Sequence, residues 1–296
     1  MAGTEQRNTG IKGGVGLTAL MVAAARAIET HRADALARDV YAEHFVRAAP
    51  ASASWPVRPQ EVPQGEANPL WGRLARYFAL RTRVFDDVLL SAARAGARQV
   101  VLLGAGLDSR AYRLDWPAGC SVYEIDSEEV LTFKRGVLGG MGAAPRATRI
   151  PVAADLRTDW AAALIGAGFD PATASTWLAE GLLLYLPPAA ERRLIATVDR
   201  LTAGGGTYSC EVKLSRDDNP LYPSTKAQIG VDLLALFDPD PRPDSAGDLT
   251  DRGWSTSVRT PFEFSRHHGR GPLPEPNDSL AGNRWVFAAK PPSGRR

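Results

Sequence analysis

Cysteine is nearly absent from this chain: 296 residues contain two, Cys120 and Cys210. Both sit in short apolar runs, so they read as buried free thiols rather than as a disulfide or a metal pair. Histidine is scarce too, at four, and no Cys/His spacing suits zinc. No apolar run reaches the length of a membrane helix, and residues 1–16 are polar and glycine-rich, with no signal-like apolar region. The expectation is a cytoplasmic protein with no membrane partner. Net charge is only +2, which leaves no electrostatic case for nucleic acid, because phosphate binding needs a basic excess on one face. Arg295–Arg296 then reads as a solvated tail.

What remains is an ordinary globular balance, 44% hydrophobic and 23% charged, with enough length for one α/β domain plus helical additions. Residues 1–96 read as an N-terminal helical extension and cap. Within them, Leu17 to Arg47 is alanine-rich with helical spacing. Pro50 to Pro69 holds five prolines and marks an irregular connection. A helix follows from about Trp71 to Ala95, closed by Gly96.

Residues 97–296 change rhythm. Gln99-Val-Val-Leu-Leu, Ser121-Val-Tyr-Glu-Ile, Thr148-Arg-Ile-Pro-Val, Ser175-Thr-Trp-Leu-Ala and Gly206-Thr-Tyr-Ser-Cys-Glu-Val read as buried strands. Helical stretches Glu128–Gly136, Trp160–Gly166 and Pro188–Leu201 separate most of them. The alternation predicts a Rossmann-like α/β fold, an open and mostly parallel sheet with helices on both faces. After the fifth strand, 217–248 reads as a lid insertion with one amphipathic helix near Lys226–Phe237. Arg284-Trp-Val-Phe-Ala-Ala-Lys reads as the last strand.

The chemistry concentrates at strand ends. Gly104-Ala-Gly106 follows the first strand, where glycines let the backbone approach a ligand. Asp126 lies 22 residues beyond Gly104, at the end of the second strand, where a carboxylate can accept both ribose hydroxyls of an adenosine. The next residues are Asp108-Ser109-Arg110 rather than the small residue of a dinucleotide fingerprint. A carboxylate there would repel a pyrophosphate but suit a sulfonium and an ammonium. Asp155 could accept from an adenine amino group with Leu156 packed on the ring; it could equally serve as a helix N-cap. Glu180 ends the fourth strand and could hold a cofactor ammonium, and Tyr185 could be a packed ring. His267-His268 reads as a solvated loop. No metal cluster and no catalytic side chain stand out.

In these residues the chain resembles the leucine carboxyl methyltransferase family, and within it the bacterial branch of polyketide O-methyltransferases. The likeness runs through Thr18 to Glu29, Asp39-Val-Tyr-Ala, Arg81 to Asp86, Val100 to Leu114, Glu124-Ile-Asp126, Phe133-Lys134, Asp155-Leu-Arg157, Trp160 and Trp177 to Leu186. It fades after residue 213. The resemblance implies S-adenosylmethionine as cofactor, Arg81 on its carboxylate, and Gly104 and Gly106 beneath its methionine part. It further implies Asp126 on the ribose, Asp155 and Leu156 at the adenine, and Glu180 at the amino end. The family's eukaryotic branch adds an N-terminal lysine, for which Lys12 is the one early candidate. Asp39-Val-Tyr departs from the family's Asp-Pro-Tyr at a helix start.

The expected activity is O-methylation of a carboxylate on a natural-product small molecule or peptide. The alternatives are O-methylation of a phenol or hydroxyl, a nicotinamide-dependent oxidoreductase, and a non-catalytic cofactor-binding or scaffold protein. Arg26, Arg110 and Arg266 are candidates for drawing an anionic acceptor inward. Oligomeric state is left open.

Overall fold

The structure is a computed structural model that describes residues 15–214, 221–276, 278 and 280–292. Lys12 and the segment before Val15 lie outside the described residues. Seven strands form one sheet in the order β3-β2-β1-β4-β5-β7-β6. They are β1 (Gln99–Leu103), β2 (Ser121–Asp126), β3 (Thr148–Ala153), β4 (Ser175–Ala179), β5 (Thr207–Lys213), β6 (Ser255–Arg259) and β7 (Asn283–Ala289). The first five are parallel, and β7 runs antiparallel to both β5 and β6. The expected open, mostly parallel α/β sheet is therefore what the chain forms.

The central strands are buried because both faces are covered. Val100 and Leu102 of β1 enter one apolar cluster with α1 (Val15–Thr30), α2 (Ala42–Ala48) and α3 (Ala75–Arg94). Val101 and Leu103 enter the other, with α6 (Ala161–Gly166) and α7 (Pro188–Leu201). That two-sided demand explains the uninterrupted apolar runs. Cys120 and Cys210 are free and buried, as expected. Pro151, which cannot donate to a ladder, sits in β3 at the sheet's edge.

Sequence and structure part company in four places. The single helix expected from Leu17 to Arg47 is two helices, α1 and α2. Polar groups between them fold back on the end of α1: Asp39 pairs with Arg26 at 2.9 Å, and the Leu36 N–H donates to Glu29 at 2.6 Å. Those bonds reverse the chain. The one helix expected near 226–237 is also two, α8 (Leu221–Ile229) and α9 (Leu233–Leu236), the second capped by Asp232. Strand β6 and helix α10 (Ser245–Asp251) carried no apolar signal, because β6 is a largely exposed edge strand, Ser-Thr-Ser-Val-Arg. His267 and His268 close α11 (Pro261–His268) rather than lying in a loop.

One buried charge cluster anchors α5 (Glu128–Gly140) to the sheet. Lys134 and Glu124 are both fully buried and 2.8 Å apart, and Arg149 of β3 reaches the same oxygen at 2.7 Å. Removing one member of such a cluster leaves an uncompensated charge in a low-dielectric interior. Glu124→Gln should therefore cost about 3–5 kcal/mol in urea unfolding. Arg149→Ala, which keeps the Lys134 pair, should cost clearly less. A loss of stability that is equal in the two variants would remove the special role of Lys134.

Candidate active site

The carboxyl ends of β1, β2, β3, β4 and β5 open into a cavity of about 810 Å³. The order of β1 and β4 reverses the run of connections there, which is where open sheets bind ligands. Arg81, Gly104, Gly106, Asp126, Asp155, Leu156 and Glu180 all lie on its wall.

The glycine turn has φ of +64° at Gly104 and +48° at Gly106, a region that side-chain-bearing residues avoid. A Cβ on Gly104 would stand 2.9 Å from Leu182, so the narrow passage also needs its absence. Asp126 braces this turn: one oxygen accepts the Gly106 N–H at 2.7 Å, the other the Ser127 N–H at 2.7 Å. Burial raises the Asp126 carboxyl, and those two amides oppose the rise. Asp155 caps a turn instead of a helix. It accepts from the Arg157 backbone and guanidinium at 2.7–3.1 Å, which holds its carboxyl low, and the next helix waits until Ala161.

Behind the glycines lies a network of buried charges. Arg81 of α3 donates to Glu180 at 2.8 Å and to Glu211 of β5 at 2.5 Å. Arg110, in α4 (Arg110–Arg113), donates to the other oxygen of Glu180 at 2.8 Å, to Asp86 at 2.6 Å and to Asp108. Arg113 completes the set on Asp86. Burial alone would raise Glu180, but Arg110 and Arg81 outweigh it and its carboxyl is lowered. Burial likewise raises Asp108, but the Arg110 guanidinium, with Lys134 and Arg113 behind it, holds it at about 2. Asp108 is thus turned onto Arg110, so its repulsion of a pyrophosphate is weaker than the sequence suggests.

Two residues that sequence reasoning passed over belong to this wall. Glu211 accepts from Arg81 and from the Tyr77 hydroxyl, and the Trp285 indole N–H donates to Tyr77 at 3.1 Å. Burial raises the Glu211 carboxyl. The available signal was a charged residue inside an apolar strand, Tyr-Ser-Cys-Glu-Val.

Other expected contributors fall elsewhere. Arg26 lines the cavity, but it is held by Asp39 and by the Leu107 carbonyl at 2.7 Å. Arg110 lies behind the wall. Arg266 and His267 are exposed on α11, away from the cavity. From the insertion, Leu221, Tyr222, Leu233 and Phe237 reach the cavity. The stretch 238–246 does not line it. Arg242 instead clamps the Leu183 and Leu186 carbonyls at 2.7 and 2.8 Å, and Ser245 bonds Glu191 of α7 at 2.6 Å.

The charge network sets an acid limit on stability. Because Asp108 is held at about 2 rather than at the ordinary 3.8, it contributes about 2 kcal/mol above pH 4. The folded value is the lower one, so this stabilisation is lost as pH falls from about 4 toward 2. Asp108→Asn should flatten the stability–pH slope in that window, read by denaturant unfolding at successive pH values. An unaltered slope would show that Asp108 titrates normally in the folded state.

The glycine turn, the strand-end acids and the sheet order converge with relationships at the sequence level. Residues 19–199, more than half of the chain, match the leucine carboxyl methyltransferase family. A Streptomyces coelicolor protein provisionally named an S-adenosyl-L-methionine-dependent methyltransferase is 63% identical over 288 residues, 95% of each chain. Proteins with the same provisional name from Saccharopolyspora erythraea and Rhodococcus jostii are 47% and 41% identical, over 82% and 90% of this chain and 84% and 91% of theirs. Among solved structures, an O-methyltransferase family protein from Burkholderia thailandensis aligns at a TM-score of 0.46 and 16% identity, over 77% of this chain and 62% of that one. The chain belongs to the leucine carboxyl methyltransferase family, a family of S-adenosylmethionine-dependent methyltransferases.

Proposed function

We propose that this protein methylates a carboxylate oxygen on a small molecule or peptide, with S-adenosylmethionine as methyl donor. The observation that carries the reading is the buried Arg81–Glu180 pair beside the glycine turn. A zwitterionic amino-acid end needs an anion and a cation side by side, and this pair offers both in a wall that water does not screen. The narrow turn at Gly104 fits the same group, since the space a Cβ would fill is left for backbone contact.

When bound, S-adenosylmethionine supplies a methyl on a positively charged sulfur, open to in-line displacement by an oxygen. Arg81 would hold its carboxylate and Glu180 its amino end, with the Gly104/Gly106 turn beneath. Asp126 would take the ribose hydroxyls with lone pairs that its two amide contacts leave over. Asp155 and Leu156 would border the adenine, Leu156 being buried and Asp155 partly open to solvent. Glu211 and Tyr77 keep Arg81 in place from behind.

A carboxylate acceptor is favoured because it is already ionised at neutral pH and needs placement rather than a base. The charged groups around Glu180 already hold one another, so they are poorly disposed to shuttle a proton. α8 and α9 cover the acceptor side, where closing over the reactants would exclude water.

Asp126→Ala should weaken S-adenosylmethionine by about 1–3 kcal/mol in calorimetry, the cost of leaving buried partners unpaired. Arg81→Lys, which keeps charge but loses the fork, should bind worse than wild type. Full affinity in both would take these residues out of the cofactor site. For the acceptor, the rate should be flat from roughly pH 5.5 to 7. The nucleophile carries no proton there, and the range lies below that of Glu211, whose carboxyl burial raises to about 8. The methylated product should be cleaved by mild alkali, as esters are. A rate that climbs with pH, together with an alkali-stable product, would replace the carboxylate with a hydroxyl.

A further inference from the structure

Two acids divide one guanidinium on the cavity wall. Arg81 gives its Nε–H to Glu180 at 2.8 Å and an Nη1–H to Glu211 at 2.5 Å. Glu180 also has Arg110, at 2.8 Å. Besides Arg81, Glu211 accepts from two neutral donors, the Tyr77 hydroxyl and the Gly181 N–H. The bend at Gly181 brings the pair to the cavity. A Cβ built there would stand 3.3 Å from Arg81 Nη1, 3.7 Å from Nη2 and 3.7 Å from Glu211 Oε2. The Nη edge of Arg81 and the Glu211 carboxyl therefore border the same small space. Both side chains are buried, and both line the cavity.

A further carboxylate drawn to the Nη edge of Arg81 would lie against Glu211. Two anions so close in a buried wall repel strongly, and a proton on one of them removes the repulsion. The groups around Glu211 decide which acid takes it. They are Tyr77 and Arg81 of α3, Glu180 and Tyr185 beyond β4, Lys213 of its own strand and Tyr222 of α8 on the cavity wall, with the Trp285 indole of β7 behind Tyr77. Glu180 is held low by Arg110 and Arg81. Burial raises the Glu211 carboxyl to about 8, although the Lys213 charge and the Gly181 N–H draw it down. Glu211 is thus the acid in this wall that protonates most readily.

We propose that S-adenosylmethionine binds with Glu211 neutral, so that wherever Glu211 is ionised in the free protein the arriving cofactor carboxylate draws one proton from solvent onto it. This rests on the proposed placement of the cofactor carboxylate on Arg81. It makes Glu211 a positioning residue, acting on the cofactor through Arg81. The sign follows from the raised carboxyl. Below about pH 7 Glu211 is neutral with and without cofactor, and affinity does not depend on its proton. Above its own range the proton must be taken up, and affinity falls by roughly ten-fold per pH unit.

The probe is S-adenosylhomocysteine, titrated calorimetrically into the full chain at about pH 6.5 and about pH 9, each in two buffers of unlike ionisation enthalpy, which counts protons taken up. The probe's own amino group also ionises in this range. Glu211→Gln keeps that contribution and removes the carboxyl. At about pH 9 wild type should take up about one proton more than Glu211→Gln, and Glu211→Gln should bind roughly ten-fold tighter than wild type. At about pH 6.5 the two should bind alike. A side chain that merely props Arg81 would instead bind the probe worse when replaced, at both pH values. Difference infrared spectra of wild type at the higher pH need no variant: the C=O band of a neutral carboxyl should grow as the probe is added. The inference is overturned if the proton counts are equal, if Glu211→Gln is not the tighter binder at the higher pH, or if the band does not grow. Arg81→Lys separates the two levels. If it binds the probe as wild type does, the placement on Arg81 fails and this inference falls with it; if it binds worse while the proton counts are equal, only the inference is lost.

Discussion

Glu180 is shared by two guanidiniums, one on each carboxylate oxygen, and the geometry of the site depends on that arrangement. Arg81 comes from a long helix packed on the sheet, Arg110 from the short helix after the glycine turn, and Glu180 from the end of β4. The three segments also pack on one another through the sheet and α3, and these bonds fix their side chains relative to one another. A buried pair of this kind adds little net stability, because desolvation offsets attraction. Its effect is on position. Each Glu180 oxygen accepts from one guanidinium, Arg81 is held from a second side by Glu211, and Arg110 is held by Asp86 and Asp108. The turn that carries Gly104 and Gly106 is fixed relative to β4 as a result.

The same network divides the cavity by chemistry. On one side are the glycine turn, Asp126 and the strand-end acids. On the other are leucines and aromatic rings, Leu221, Tyr222, Leu233 and Phe237 among them. Glu211 stands at the boundary, reaching Arg81 and Tyr77 at once. Its neighbours explain why an acid is tolerated in the interior of β5: each oxygen has a donor. The boundary between the two parts of the cavity is one ion-paired wall.

Local signals were readable in the sequence, and distant pairings were not. The runs at β1, β2 and β4 stand out because strands buried on both faces must be apolar throughout, and α7 has a proline start and helical spacing. The glycine turn, Asp126, Asp155, Leu156 and Glu180 were picked out at strand ends from the sequence itself and the resemblance added Arg81; all of them line the cavity. What spacing could not supply is who holds whom. Arg81 and Glu211 are 130 positions apart, and nothing in either neighbourhood names the other. The same applies to Asp108, whose carboxylate looked free in the sequence and is in fact turned onto Arg110. Strand β6 escaped notice for the opposite reason: an edge strand with solvent on most of its side chains has no need of a pattern.

The position of β7 bears on how the molecule is made. It is the last strand in the chain, yet it lies inside the sheet, between β5 and β6. β6 pairs with β7 alone, so it has no partner until the final strand has emerged from the ribosome. Up to that moment the outer edge of the growing sheet is β5, with its backbone groups on that side unpaired. The five parallel strands can assemble while synthesis continues, because their pairings use only earlier chain. The antiparallel end cannot, because β5 and β6 are joined only through β7.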